Sequence, residues 1–171
     1  MSAFAGGTVM RILVFLAAAM IGAAAHAETN VFYAERGHWS VAIGGSACRA
    51  FNRPLTDFNA SPYNGLAIVT RAGAEIGVEV YFWPQAIDPS RNNRLRLDFT
   101  AADTITLDAK GTDFMLAATD EAGKLWRFFQ TAKTVRAVVA DAPKLELFFG
   151  LDDINWVLDN LQRCAGLLPK Q

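Results

Sequence analysis

The chain is poor in the residues that most enzyme and metal chemistry requires. It has two histidines and two cysteines among 171 residues. No CxxC pair and no HxxxH spacing is present, so zinc and transition-metal sites of ordinary ligand spacing are excluded. Asp152-Asp153 and the scattered carboxylates make no EF-hand loop, and Gly44-Gly45 belongs to neither a Walker nor a dinucleotide pattern. Positive charge is also scarce: 16 basic residues stand against 17 acidic ones. A near-neutral chain is not built to grip nucleic-acid phosphates and has no polybasic membrane tether. No cofactor is expected.

One long apolar run is present. Arg11 precedes the uncharged segment Ile12–Ala25, which ends in Ala25-His26-Ala27. A basic residue, a short apolar core and a small-x-small site are the three parts of a secretory leader. The run is too short and too rich in alanine to span the roughly 30 Å of a bilayer core. Residues 1–27 are therefore expected to be a signal peptide, cleaved before Glu28. Met10-Arg11 would itself begin a compact leader, so residues 1–9 read as upstream of the true start. Cleavage removes 27 of the 171 residues and leaves 144, enough for one domain with a core. The remainder has 15 basic and 17 acidic residues, a net charge of −2. No second stretch is long enough to cross a membrane. The expected location is periplasmic or secreted, and in an oxidising compartment Cys48 and Cys164 are expected to pair.

Strict alternation dominates residues 28–171. Trp39, Val41 and Ile43 alternate with Ser40 and Ala42, and Val78, Val80 and Phe82 with Glu79, Tyr81 and Trp83. The same pattern holds for Leu95, Leu97 and Phe99, for Ile105, Leu107 and Ala109, for Val135, Ala137 and Val139, and for Leu145, Leu147 and Phe149. Leu66–Val69 and Phe114–Ala118 are short apolar runs. These are strand signatures, and the short connections between them suit antiparallel hairpins. The period changes twice. Leu125, Phe128, Phe129 and Ala132 mark a short helix, and Ile154, Val157, Leu158, Leu161, Ala165 and Leu168 a longer one. Asp152 is expected to cap the second helix, Asp153 to favour its positive end, and Gly166 to stop it. Cys164, near the buried stripe, is placed to meet a strand beneath.

The expected fold is mainly β, with seven or eight strands in an antiparallel β-sandwich or open barrel. A short helix lies between strands, and a C-terminal amphipathic helix packs on the sheet. Positions 52–64 and 84–93 are the main loops.

With His26 lost, His38 is the one remaining histidine. Ser40 and Ser46 lie near it, but Ser46 makes no G-x-S-x-G elbow, and a histidine packed beside Trp39 is the plainer reading. Glu75, Glu79, Asp98, Asp108 and Glu146 supply enough carboxylates for an acid pair of the glycosidase kind, although strand acids more often form a solvated face. Two features suit binding. Tyr81 and Trp83 share one strand parity and would form an aromatic platform if that face is open; on an inner strand they would be covered. Arg91, Arg94 and Arg96 would hold an anionic ligand, unless they pair with acids on a neighbouring strand such as Asp108. Trp126 and Trp156 sit beside the helical stripes and read as cover at helix edges.

The leader, Gly37-His38-Trp39 opening the domain, the β-rich middle, Leu145–Leu151 and the amphipathic Ile154–Cys164 segment together resemble the invasion-associated locus B family. The resemblance implies a small periplasmic or surface-associated protein of Gram-negative bacteria with a β-sandwich-like domain. It implies no mechanism and identifies no active-site residue. The expected function is thus non-enzymatic binding of a protein, an envelope component or a small ligand. A small carboxylate-pair hydrolase and an inhibitor of a secreted enzyme are the alternatives.

Overall fold

A computed structural model describes residues 32–52, 64–71, 76–83, 87–100, 103–120, 122–142 and 144–169. The leader, positions 53–63 and 84–86 of the two expected loops, and Glu75 lie outside the described residues. β1 (Tyr33–Arg36), β2 (Trp39–Gly44), β3 (Ala47–Asn52), β4 (Gly65–Arg71) and β5 (Ile76–Tyr81) follow one another as antiparallel neighbours. β6 (Asn93–Phe99) and β7 (Thr104–Thr112) form a hairpin, and β8 (Met115–Thr119) returns between β7 and β5. Helix α1 (Lys124–Thr131) leads to the hairpin of β9 (Thr134–Val139) and β10 (Glu146–Gly150), and α2 (Ile154–Ala165) follows.

The ten strands among the described residues belong to one antiparallel sheet in the order β1-β2-β3-β4-β5-β8-β7-β6-β9-β10. This is the open form of the expected architecture, with two more strands than the alternation indicated. The additions are β1 and β3.

Register aligns the apolar positions on one face. Val41 faces Ala50, Ala50 faces Ile68, Ile68 faces Val78, and Val78 faces Ala118. On the other half, Val139, Ala137 and Val135 oppose Leu95, Leu97 and Phe99. Both helices pack here. Leu125, Phe128 and Phe129 of α1 are buried, with Phe129 edge-on to Phe99 at 5.1 Å. Ile154, Val157, Leu158, Leu161 and Cys164 of α2 are buried against β2, β3 and β4. Trp126 and Trp156 are half-buried against this core. β4 and β5 are buried on both faces, which is why Leu66–Val69 reads as a continuous apolar run.

The sheet curls around α2. Trp39 Nε1 donates to the Asp152 carbonyl (2.9 Å) and Asn52 Nδ2 to the Gly150 carbonyl (2.6 Å). Arg36 pairs with Asp153 at 3.0 Å. These contacts hold the segment after β10 beside the first hairpin. A disulfide joins Cys48 on β3 to Cys164 on α2, with Cα atoms 6.1 Å apart and a sequence separation of 116.

The expected cap of α2 is not formed. Asp153 occupies the N-cap position in a left-handed conformation (φ 61°), and no side chain hydrogen-bonds to the helix start. Asp152 contributes its carbonyl to Trp39 instead, and the Asp153 carboxylate is drawn away by Arg36. Gly166 does end α2, but with right-handed φ and ψ.

Candidate functional site

The residues singled out from sequence do not converge. Tyr81 is half-buried on the sheet face opposite the helices, where it meets Phe51 edge-on with ring centres 5.8 Å apart. Trp83 lies past the end of β5 and packs edge-on against Phe114 at 4.2 Å. The two aromatics therefore serve different neighbours. Arg91 pairs with Asp88 at 3.2 Å and Arg94 with Asp141 at 2.8 Å. The Arg94 guanidinium holds the Asp141 carboxyl below its ordinary value. Arg96 Nε stands 3.2 Å from Asp98, close enough to pair by charge yet out of line for a hydrogen bond. Each arginine has an acid at hand on a loop or its own strand, and Arg94 also stands opposite Asp108 of β7, whose charge acts on it more weakly than the Asp141 bond. His38 is exposed in the turn between β1 and β2.

The carboxylates are engaged too. Asp98 and Glu146 both approach Arg136, at 3.6 and 3.1 Å. Glu79 is 5 % exposed, which is unusual for an acid, and it is matched on the outer face of the central strands. Arg49 Nε and Nη2 donate to it at 3.0 Å, and the Tyr81 hydroxyl donates at 2.9 Å. Burial first, then the bond to Glu79, push the Tyr81 phenol up to about 12.

This makes a spectroscopic prediction. A raised phenol pKa stabilises the fold fully below the ordinary value near 10 and loses that contribution as pH rises through about 12. Tyr33 is also raised, by its hydrogen bond to Glu35, but Tyr81 should yield the latest step in tyrosinate absorbance, absent in Tyr81→Phe. The variant's melting temperature should also fall less between pH 10 and 12. An unchanged late step in Tyr81→Phe would show that another residue is responsible.

A cleft opens where the sheet forks. β7 and β8 pair only from Thr112↔Met115 to Ala109↔Ala118. Beyond Ala109, β7 runs back to Thr104 paired with β6 alone. Asp120 causes the divergence. It is 4 % exposed, and its carboxylate accepts from the backbone N–H of Ala122 (3.1 Å) and of Leu125 (2.5 Å). These bonds satisfy free donors at the start of α1, as an N-cap does, and they turn the chain out of the sheet after Thr119. Sequence reasoning missed Asp120 because it lies four residues before the helix.

The cleft has a volume of about 1050 Å³, at the top of the ordinary range for ligand pockets. It is lined by residues of β7, β8 and β5, and small residues (Gly77, Ala109, Ala117, Ala118) keep it wide. Arg71, Lys110 and Lys124 line it, are exposed, and take part in no ion pair among the described residues. Of the acids that line it, Glu79 is neutralised by Arg49 and Asp120 serves α1, which leaves Asp108. The cleft is thus basic in local balance on a chain that is slightly acidic overall.

Among the described residues, no three His, Cys, Asp or Glu side chains converge as metal ligands, and no helix is long and apolar enough to cross a membrane. Comparison with protein-family models, with curated proteins and with solved structures finds no match to this chain.

Proposed function

We propose that the chain is an exported, non-enzymatic binding domain whose ligand seat is the fork between β7 and β8. The observation that carries this reading is the cleft itself: about 1050 Å³, open, and lined by three cations that form no ion pair among the described residues. Unpaired cations around a concavity favour an anionic ligand. Catalysis by a carboxylate pair draws no support from the arrangement. Asp98 and Glu146 face arginines, and the Glu79 carboxylate is taken up by Arg49 and Tyr81, so the described acids do not face one another across a cleft. Export is supported by the leader-like Arg11–Ala27 segment and by a disulfide that persists only in an oxidising compartment. The resemblance to the invasion-associated locus B family agrees with that location.

The site is tested by titrating the oxidised domain with two anionic probes, oligogalacturonate and short polyglutamate, while following backbone amide shifts. Shifts should cluster on 104–110 and 117–124 for at least one probe. Lys110→Glu/Lys124→Glu should weaken that binding about tenfold, as expected for reversing two rim charges. Shifts scattered over the surface, or equal binding by the double variant, would remove the cleft from consideration. Export is tested separately: a chain recovered reduced from the cytosol, still bearing residues before Glu28, would end that part of the reading.

A further inference from the structure

We infer that the ligand of the β7–β8 fork is an extended polypeptide that adds as a strand along β7, with side chains alternating between acidic and apolar. The inference rests on the binding reading above and names its ligand class. It begins from the hydrogen-bond phase of the β6–β7 hairpin. The Phe99 N–H donates to the Asp103 carbonyl at 2.8 Å, so this pair is a bonded one. In an antiparallel ladder bonded and non-bonded pairs alternate. Leu97↔Ile105, Leu95↔Leu107 and Asn93↔Ala109 are then bonded, while Thr104, Thr106 and Asp108 aim their N–H and C=O groups away from β6; the last β7–β8 pair, Ala109↔Ala118, takes up the Asp108 C=O and leaves the Asp108 N–H and both groups of Thr106 and Thr104. They aim towards β8, whose pairing with β7 stops at Ala118. The opposite wall has the same property. Asp120 N–H donates to the Ile76 carbonyl at 3.0 Å, which puts the main-chain groups of Thr119 on the fork side of β8, where its N–H closes the last β7–β8 pair and its C=O faces the fork.

The result is an unpaired strand edge inside a sheet. From Thr104 to Asp108 it spans five residues, about 17 Å, a common strand length. Proteins usually blunt such edges with lysine, proline or brevity. The outer edge strand β1 is blunted in this way: it has four residues, among them Glu35 and Arg36. The segment Thr104-Ile105-Thr106-Leu107-Asp108 has neither lysine nor proline and is rich in β-formers.

The walls also specify the side chains of an added strand, which alternate with period two. One set falls on the helix side beside Ile105 and Leu107, which are only partly buried there and call for apolar groups. The other set falls on the outer side, where Arg71 and Lys110 form no ion pair among the described residues and call for carboxylates. An anionic glycan would satisfy the cations but leave the backbone row and the two apolar side chains unmatched.

The test uses the oxidised domain and three probes: a peptide of alternating glutamate and valine, the same peptide N-methylated at every second residue along one edge or the other, and oligogalacturonate. In the free protein the amides of Thr104, Thr106 and Asp108 should exchange quickly with solvent, and the unmethylated peptide should protect them. Methylation along one edge should weaken binding about tenfold and along the other edge much less, because only one edge faces β7. Slow exchange of those three amides in the free protein overturns the inference, as does equal binding by all the peptides. If oligogalacturonate binds the cleft and the peptide does not, the binding site stands and strand addition fails. If no probe shifts the cleft amides at millimolar concentration, both fail.

Discussion

Replacing both cysteines, Cys48→Ala with Cys164→Ala, should destabilise the domain by about 4–5 kcal/mol. The bond closes a loop of 116 residues, and its removal returns that loop's freedom to the unfolded chain. Domains of this size are stable by only roughly 5–15 kcal/mol, so the loss is a large share of the total. The melting temperature should fall by roughly 10–20 °C. Both cysteines are fully buried, on the underside of α2 and on β3 facing it, so the bond also holds α2 in the curl of the sheet. Chemical denaturation of the oxidised protein, the reduced protein and the double variant provides the measurement. The reduced protein and the variant should agree closely. A loss below about 1 kcal/mol in both would mean that α2 docks just as well without the bond, and the link between oxidation and folding would go with it.

Most of the sheet was legible from alternation because most strands bury one face. The positions that alternate in Leu95–Phe99 and Val135–Val139 are those that meet across the β6–β9 ladder. The two strands that escaped had diluted signals. β1 is Tyr-Ala-Glu-Arg, with little buried side chain on either face. β3 is Ala-Cys-Arg-Ala-Phe-Asn, whose buried positions are held by small or polar residues. The pairing of Cys48 with Cys164 followed from there being only two cysteines, and the helical stripe placed Cys164 correctly.

The cleft was not legible, for a topological reason. A fork exists because β7 has nine residues and β8 five, and because β8 stops where Asp120 turns the chain into α1. Neither strand's own pattern contains that mismatch. Arg94 and Arg96 attracted notice because they share a strand face. The cations that form no ion pair among the described residues, Arg71, Lys110 and Lys124, lie on three different elements and are gathered only by the fold.

Glu79 shows the same limit and supports the second large effect. Alternation places it on a solvent face, yet β5 is an inner strand and its outer face is covered by Tyr81, Phe51 and Arg49. Removing Arg49 while keeping the side-chain bulk, as in Arg49→Met, should destabilise the domain by about 2–3 kcal/mol. Loss of one partner from a buried pair typically costs roughly 3–5 kcal/mol because the remaining charge is stranded. The lower figure applies here because the Arg49 side chain is 36 % exposed, and solvent screens part of the interaction. The double variant Arg49→Met/Glu79→Leu should recover most of the loss, since it removes the buried charge together with its partner. Glu79 therefore constrains the sheet more than it strengthens it: the carboxylate has its donors only when β3 and β5 flank β4 in the observed register, with Arg49 beside Val69 and Glu79 beside Ala67. A double-mutant cycle by urea denaturation measures this coupling. A single-variant cost under about 0.5 kcal/mol, or a double variant worse than the sum of the two singles, would show that Glu79 reaches water despite its position.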